Sequence, residues 1–428
     1  MQCRIVSIGN ELLIGDTVNT NASWLGDVLT EAGIEVTHVY TIGDDLQIMK
    51  EVLEESLSAS DLVITTGGLG PTHDDITKQA VTELFDCELV LDESVLKFIK
   101  KVFKKRNIPF SQSNYHQAEV PDCCEVFFNT QGTAPGMWFD RDGVKLAVLP
   151  GVPHEMKHLV NEKVLPRIRK INGETEFRRS HYITTAGIGE STLSDEIIGS
   201  LDDVLPDHVS VAYLPSTQGT RIRISAFGRS DKEIDDRIGI VISHIKKKAG
   251  KYIIGEGKDW NLSQSVGELL VEKGLTISVA ESCTGGHIAN AITDVPGSSR
   301  YMLGGLIAYA NSVKVNQLGV LSDDLESQGA VSKVVALQMA KGVAERLGAD
   351  IGISTTGVAG PGGGTKEKPV GTVWIGCWSS KEHFAIRARF TNDRLINKER
   401  SSAVALEIVR RSILGIDEMP YGFKKQSA

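Results

Sequence analysis

The residues whose types and spacing could do chemistry are concentrated at 279–286, Val-Ala-Glu-Ser-Cys-Thr-Gly-Gly, and at 309–314, Tyr-Ala-Asn-Ser-Val-Lys. An apolar run from Leu275 to Ala280 reads as a strand that delivers Ser282 and Cys283 to the start of a helix predicted over Thr284–Ile292. A nucleophile placed there has beside it backbone N–H groups without intrahelical partners, and such groups stabilise an oxyanion or a phosphate. A second apolar run, Leu303–Ala308, is followed by Lys314. A serine and a lysine at the ends of neighbouring strands are the minimum equipment for an amidohydrolase with lysine as base.

Cys283 competes with Ser282 for that role. A thiol is intrinsically the better nucleophile but usually works with a histidine, and the nearby His287 is expected to face away along the predicted helix. Lys314 can act as a base only after losing a proton, which requires burial or a cationic neighbour. Tyr309 and Ser299 are hydroxyls at loop positions that could relay the proton. The plainer alternative stays open, in which Ser282 caps a helix, Cys283 packs and Lys314 is solvated. A Gly-rich stretch, Gly357–Gly364 with Gly360 inside it, would let backbone amides approach an anion. Arg394 and Arg400, at the start of the last helix, could grip a phosphate or carboxylate, or be ordinary surface residues.

A second constellation lies near the N-terminus. Thr65–Asp75 is a Gly-rich turn after a short buried strand, and Gly67, Gly68 and Gly70 allow close approach to a phosphate. Asp74 and Asp75 supply hard oxygen ligands for a divalent cation, although one acid is also favoured in the first turn of any helix. Glu11, Asp16, Asn19 and Asn21 follow the first strand, and Gly151 and Glu155 follow another, so all fall at one sheet edge. P-loop and GxGxxG patterns are absent.

These residues must be positioned by alternating strands and helices. Cys3–Ile8, Ile34–Thr41, Leu62–Thr66 and Lys145–Leu149 read as strands, with helices over Thr20–Ala32, Leu46–Leu57 and from about His154. Such alternation predicts βαβ units, a mostly parallel sheet covered on both faces, and ligands at the carboxyl ends of the strands. A different pattern follows, with strands over Tyr182–Thr185, Val209–Leu214 and Arg221–Phe227 and a charged helix over Asp231–Lys248. A third region has helices over Ser263–Glu272 and Lys333–Leu347 (Ser332 as N-cap) and strands over Ile351–Thr355, Val373–Trp378 and Phe384–Phe390, closed by a helix over Asp393–Arg411.

The 428 residues exceed one ordinary core, and 41% hydrophobic with 24% charged residues is the composition of a globular chain without a membrane span. The start of the chain lacks a signal-peptide pattern, and six cysteines without a CxxC pair argue against a zinc site or a disulfide framework. A reduced, cytoplasmic protein is the reading. A net charge of −9 counts against general nucleic-acid binding.

At these motifs the chain resembles the CinA family over essentially its whole length. The N-terminal third is similar to the molybdopterin-cofactor-binding fold through Gly9–Gly15, Thr65–Asp75 and Leu149–Met156. The middle corresponds to the family's KH-like insertion. The C-terminal third resembles nicotinamide mononucleotide (NMN) deamidases through Ala280–Gly286, Tyr309–Lys314 and Thr356–Gly363. The fold class implied is multi-domain α/β. It comprises a mostly parallel three-layer α/β domain over 1–172, a small α+β module over 176–255 and an α/β amidohydrolase domain over 262–415.

The resemblance further implies that the C-terminal domain hydrolyses NMN to nicotinic acid mononucleotide and ammonia without a cofactor. Ser282 would attack, Lys314 would take its proton, and the backbone of Thr284, Gly285 and Gly286 would hold the oxyanion. Ser299, Tyr309, Thr356 and one arginine, Arg394 or Arg400, would join the site; Asn392 stands where the family often has glycine. The N-terminal domain would cleave ADP-ribose to AMP and ribose 5-phosphate with Mg²⁺, Mn²⁺ or Co²⁺ on Asp74, Asp75 and Glu155. A homodimer is expected. Two alternatives remain: binding of molybdopterin or a nucleotide without turnover, and a nucleic-acid role for Arg221, Arg223, Arg229 and Lys246–Lys248. Against the latter, Thr217–Thr220 is not the GXXG loop of a nucleic-acid-binding KH domain.

Overall fold

A computed structural model describes all residues except 71, 73, 74, 108, 111, 112, 173–176 and 428. Its contacts form two compact units, one of residues 1–179 with 227–234 and one of 180–226 with 235–428. Among the described residues no helix is long and apolar enough to cross a membrane.

The strands of the first unit are β1 (Gln2–Ile8), β2 (Glu35–Ile42), β3 (Leu62–Thr66), β4 (Leu89–Leu91), β5 (Glu119–Pro121), β6 (Glu125–Phe127), β7 (Gly136–Arg141) and β8 (Val144–Leu149). Six of them form a sheet in the order β2-β1-β3-β8-β7-β6, while β4 and β5 pair separately. The pairings among β2, β1, β3 and β8 are parallel, and β7 and β6 extend the sheet antiparallel. Both faces are covered, which is why β1 and β3 are apolar without alternation. Cys3 and Ile5 pack with Leu25, Leu29, Met156 and Leu159 on one side, and Val6 and Ile8 with Met49, Leu53, Ala80 and Val81 on the other. The helices Thr20–Glu31 and Leu46–Ser58 start at side-chain caps, Asn19 accepting from the Ala22 N–H and Asp45 from that of Ile48.

The second unit begins within β9 (Phe177–Thr185) and continues through β10 (Val209–Pro215), β11 (Thr220–Gly228) and β12 (Ile253–Glu256), a sheet of order β10-β11-β9-β12. It goes on to β13 (Ile277–Glu281), β14 (Met302–Ile307), β15 (Ile351–Gly357), β16 (Thr372–Ser379), β17 (His383–Arg389) and β18 (Gln426–Ser427). These six form a sheet of order β14-β13-β15-β16-β17-β18, with β13 parallel to both neighbours and the remaining pairings antiparallel. The helix Lys333–Leu347 lies close against one face. A Cβ on Gly352 would collide with the Ala340 carbonyl and one on Gly376 with that of Ala336, so two glycines permit that approach. The other face carries the helices Leu262–Lys273 and Arg394–Leu414.

Two local expectations fail. The helix expected from Thr284 starts at His287, because Gly285 and Gly286 take left-handed conformations (φ 61° and 97°). Ser332 stands at the expected N-cap, but its hydroxyl donates to the Gly329 carbonyl (2.9 Å) and caps no helix amide.

The terminal helix is anchored by a buried ion-pair network. The Glu407 carboxylate, 1% exposed, accepts from Arg410 (2.7 and 2.9 Å) and from Arg411 (2.7 Å). Arg410 also donates to the Lys251 carbonyl (2.7 Å), and Arg411 to those of Glu418 (2.7 Å) and Gly187 (3.2 Å). The network therefore ties the helix to the β9–β12 module and to the C-terminal tail. Glu407→Ala should cost about 3–5 kcal/mol, because it leaves two buried guanidinium groups uncompensated. A thermal melt of the full chain measures this; an unchanged midpoint would mean the network contributes nothing.

Candidate active sites

The carboxyl ends of β14, β13 and β15 lie side by side, and backbone bonding continues past them. The Ala308 N–H donates to the Glu281 carbonyl (2.8 Å) and the Ser282 N–H to that of Thr355 (2.9 Å). Ser282, just past β13, is thus registered against Ala308 and Thr355. Lys314 reaches the same place from the helix Asn311–Leu318. Its ammonium is 1% exposed and donates to the carbonyls of Ala308 (2.8 Å) and Tyr309 (3.1 Å). No carboxylate pairs with it among the described residues, and burial holds its pKa below the ordinary lysine value, against a smaller opposing effect of Cys283. Lys314 is therefore not solvated.

Ser282 and Cys283 sit in different environments. Cys283 packs in the core and burial pushes its thiol up to about 12, so it stays protonated. Ser282 is 9% exposed, and no hydrogen bond engages its hydroxyl among the described residues. Nor does Ser282 cap the following helix. That role belongs to Glu281, a buried carboxylate the sequence reading passed over, which accepts from the N–H groups of Gly286 (3.0 Å), Ile288 (3.1 Å) and Ala289 (2.8 Å). The Gly286 amide expected at the oxyanion is thereby committed. The Gly285 N–H has no internal partner among the described residues, and the Thr284 hydroxyl shares a hydrogen bond with that of Thr355 (2.7 Å).

Other expected residues divide. Tyr309 is 62% exposed and accepts from Arg394 (3.2 Å), which also donates to the Gly360 carbonyl (2.8 Å), so these three meet. Thr356, next to last in β15, donates its hydroxyl to the Ala330 carbonyl (2.7 Å). Arg400 points elsewhere. It lines a separate cavity of about 360 Å³ with Arg389, Phe390, Tyr421 and Phe423. Lys398, not singled out in the sequence, lies one turn after Arg394, and its Nζ is 3.8 Å from where a Cβ on Gly285 would lie. The i,i+4 spacing from Arg394 was the available signal. Ser299 is exposed in the turn before β14. Because β13 and β14 are parallel, that turn is at the opposite sheet edge, roughly 20 Å from Ser282 at ~3.3 Å per residue, and the fold does not bring Ser299 to the pair within one chain.

In the first unit, the ends of β1, β3 and β8 surround a cavity of about 380 Å³ lined by Gly67, Gly68, Gly70, Gly151, Asp75, Glu155, Glu11 and Asp44. Asn21 does not line it but holds its rim, donating to Gly151 (2.7 Å) and Thr66 (3.1 Å). The Asp75 carboxylate accepts from the Thr72 N–H (2.9 Å) and hydroxyl, and that of Glu155 from Asn129 (2.5 Å). A Cβ on Gly70 would strike the Asp75 carboxylate and one on Gly132 that of Glu155, so both acids are seated in glycine clefts. Asp74 lies outside the described residues. The all-oxygen donor set fits a hard divalent cation in kind. Yet among the described residues the ligand atoms of Asp75 and Glu155 belong to no group of three close enough to share an ion.

The chain matches three family models: "Probable molybdopterin binding domain" over residues 4–170, "Damage-inducible protein CinA KH domain" over 180–255 and "CinA C-terminal domain" over 259–413. It is 44% identical to a CinA-like protein of Salinibacter ruber over 414 residues, 96% of this chain and 100% of that one. It is 42% identical to a CinA-like protein of Chloroherpeton thalassium over 418 residues, 96% of this chain and 99% of that one. A solved structure of the protein CinA, with unknown function, from Thermoplasma acidophilum aligns at 36% identity over 38% of this chain and 97% of its own (TM-score 0.36).

The raised Cys283 pKa makes a direct prediction. At pH 8 an alkylating reagent should leave Cys283 unmodified in the folded chain and modify it in denaturant, as read by peptide mass spectrometry. Rapid modification of the folded protein would reveal a thiolate and reopen the cysteine as nucleophile.

Proposed function

The chain belongs to the CinA family, and from that premise, joined to the burial of Lys314, we propose that its C-terminal domain is an amidohydrolase acting on NMN. The observation that carries the reading is Lys314. A neutral amine has two N–H donors and one lone pair. The carbonyls of Ala308 and Tyr309 accept two hydrogens, which leaves the lone pair free to take a proton. In this mechanism Lys314 accepts the Ser282 proton as Oγ attacks the carboxamide carbon. The C–N bond then breaks, and ammonia leaves with the proton that Lys314 returns. Water, deprotonated by the same amine, hydrolyses the resulting ester, giving nicotinic acid mononucleotide and free Ser282. In this reading the Gly285 amide receives the oxyanion, and Arg394 and Lys398 bind the substrate phosphate.

For the N-terminal domain we infer cleavage of the ADP-ribose pyrophosphate by water, giving AMP and ribose 5-phosphate. Asp75 and Glu155 would hold a divalent cation that, when bound, neutralises phosphate charge. Support comes from the glycine rim, whose Gly67, Gly68 and Gly70 backbone can approach phosphate oxygens, and from the oxygen-only acids around it. Binding of a nucleotide or pterin without turnover is the competing reading. AMP release that needs Mg²⁺, Mn²⁺ or Co²⁺ and falls at least about a hundredfold in Asp75→Asn would separate the two.

Ammonia release from NMN tests the main proposal. Ser282→Ala and Lys314→Met should each lose at least about a thousandfold in kcat, and Cys283→Ala less than about tenfold. Activity lost with Cys283 instead would sink the serine–lysine mechanism. Because burial lowers the Lys314 pKa, the base form gains population below the ordinary lysine range. kcat/KM should accordingly rise with pH and level off before that range is reached. Arg394→Ala and Lys398→Ala should each raise KM about 10- to 100-fold, the loss of one charge-assisted hydrogen bond, while Arg400→Ala leaves it unchanged.

A further inference from the structure

One group of ligand-type side chains lies outside both candidate sites. The sulfurs of Cys87 and Cys123 and a carboxylate oxygen of Asp122 all lie within 4.8 Å of one another, the one such group among the described residues. Sequence spacing gave no hint of it, because the pair is made by strand register. Leu89, Val90 and Leu91 of β4 pair antiparallel with Pro121, Val120 and Glu119 of β5. Carried two residues further, this register sets Glu88 opposite Asp122 and Cys87 opposite Cys123. Hydrogen bonds continue it: the Asp122 N–H donates to the Glu88 carbonyl (2.9 Å), and the Glu88 N–H to Asp122 Oδ1 (3.1 Å).

Both thiols therefore sit on restrained backbone. The Cys87 N–H is bonded to Thr82 (3.1 Å) at the end of the helix Thr77–Phe85, and the Cys124 N–H closes the turn onto Pro121 (3.2 Å). The bond from Glu88 orients the Asp122 carboxylate and engages one oxygen, the kind of outer support that metal-ligating carboxylates have. Cys123 is exposed and Cys87 half-buried, so an ion has access from solvent.

We propose that Cys87, Asp122 and Cys123 bind a thiophilic divalent cation of the zinc type, with solvent in the fourth position. Two sulfurs and one carboxylate oxygen are three of the four ligands of a tetrahedral zinc site, whose sulfurs stand about 3.8 Å apart at ~2.3 Å metal–sulfur bonds. Thiolate donors select against Mg²⁺ and Ca²⁺. On binding, the two thiols release their protons to solvent and the metal–sulfur bonds form without change of oxidation state. The ion staples the end of the helix Thr77–Phe85 to the turn after β5. That helix also carries Lys78, whose ammonium donates to the carbonyls of His116 (2.9 Å), Gln117 (3.1 Å) and Glu119 (2.7 Å), and Gln117 lines the N-terminal cavity. The staple thus braces one wall of that cavity from outside.

Cobalt is the probe. The full chain, reduced and stripped of metal, is titrated with Co²⁺ and its near-ultraviolet spectrum recorded. The expected result is thiolate-to-cobalt charge-transfer absorption with the intensity of one thiolate-bound cobalt per chain, reversed by Zn²⁺. The band should vanish in Cys87→Ser and Cys123→Ser, survive in Cys124→Ser and need at least about tenfold more cobalt in Asp122→Asn. Cobalt on the oxygen ligands of the N-terminal cavity gives no such band, so this test and that of the pyrophosphatase reading fail separately. Melting curves of each variant identify any loss that is merely unfolding. No charge-transfer band in the parent chain, or a band that persists in Cys123→Ser, would overturn the proposal. So would a Cys87–Cys123 disulfide in a chain that takes up no cobalt once reduced.

Discussion

The C-terminal domain depends on one constraint, the pairing of β13 in parallel register with strands on both edges. Because β14 and β15 run the same way, three strand ends arrive together. The hydrogen bonds from Ala308 to Glu281 and from Ser282 to Thr355 carry the ladder one residue beyond the strands. Ser282 is consequently held by backbone rather than by a free loop, and Lys314 is held by carbonyls of the segment that β14 delivers. A site built this way inherits the rigidity of the sheet, as pre-organised chemistry requires. It also sets the direction of everything around it, since residues before β14, such as Ser299, must fall at the far edge.

Glu281 shows how the same geometry limits the chemistry. A helix that starts after a strand end usually offers its first amides to an anionic ligand. Here a buried side-chain carboxylate takes three of them. That stabilises the start of the helix His287–Thr293, but it removes most of the helix terminus as an anion site. Arg394 and Lys398 bring positive charge one turn apart on a different helix. The terminal helix therefore has two tasks along its length: cations near its start, and at its end the Glu407 network that fixes it to the β9–β12 module.

The first unit follows the same rule with other chemistry. Its strand ends carry glycines and oxygen acids, a lining suited to phosphate and a hard cation, whereas sulfur ligands are segregated at the β4–β5 ladder. Each unit places its candidate chemistry at the carboxyl ends of parallel strands, where loops are free to vary without disturbing the sheet.

Much of this was legible along the chain. Apolar runs such as Leu62–Thr66 and Leu275–Ala280, and the helical period over Lys333–Leu347, mark the elements because burial on both faces or one face imposes its pattern on neighbouring residues. Ser282 and Lys314 stood out for the same reason, each following an apolar run at a polar break. What no local pattern could decide depends on residues far apart in sequence. Whether Lys314 is buried depends on how β14 and the helix after it pack, and which arginine faces Tyr309 depends on the rotation of the terminal helix against the sheet. The Glu281 carboxylate that caps the helix starting at His287 was likewise not legible from spacing alone. The meeting of Cys87 with Cys123 follows from an antiparallel register that closes 36 residues of chain. Sequence by itself determined the order of elements and the candidate chemical groups, since those are properties of neighbouring residues. Tertiary structure alone decided burial, the direction in which burial moves a pKa, and which groups meet, because these depend on the long-range pairing of backbones.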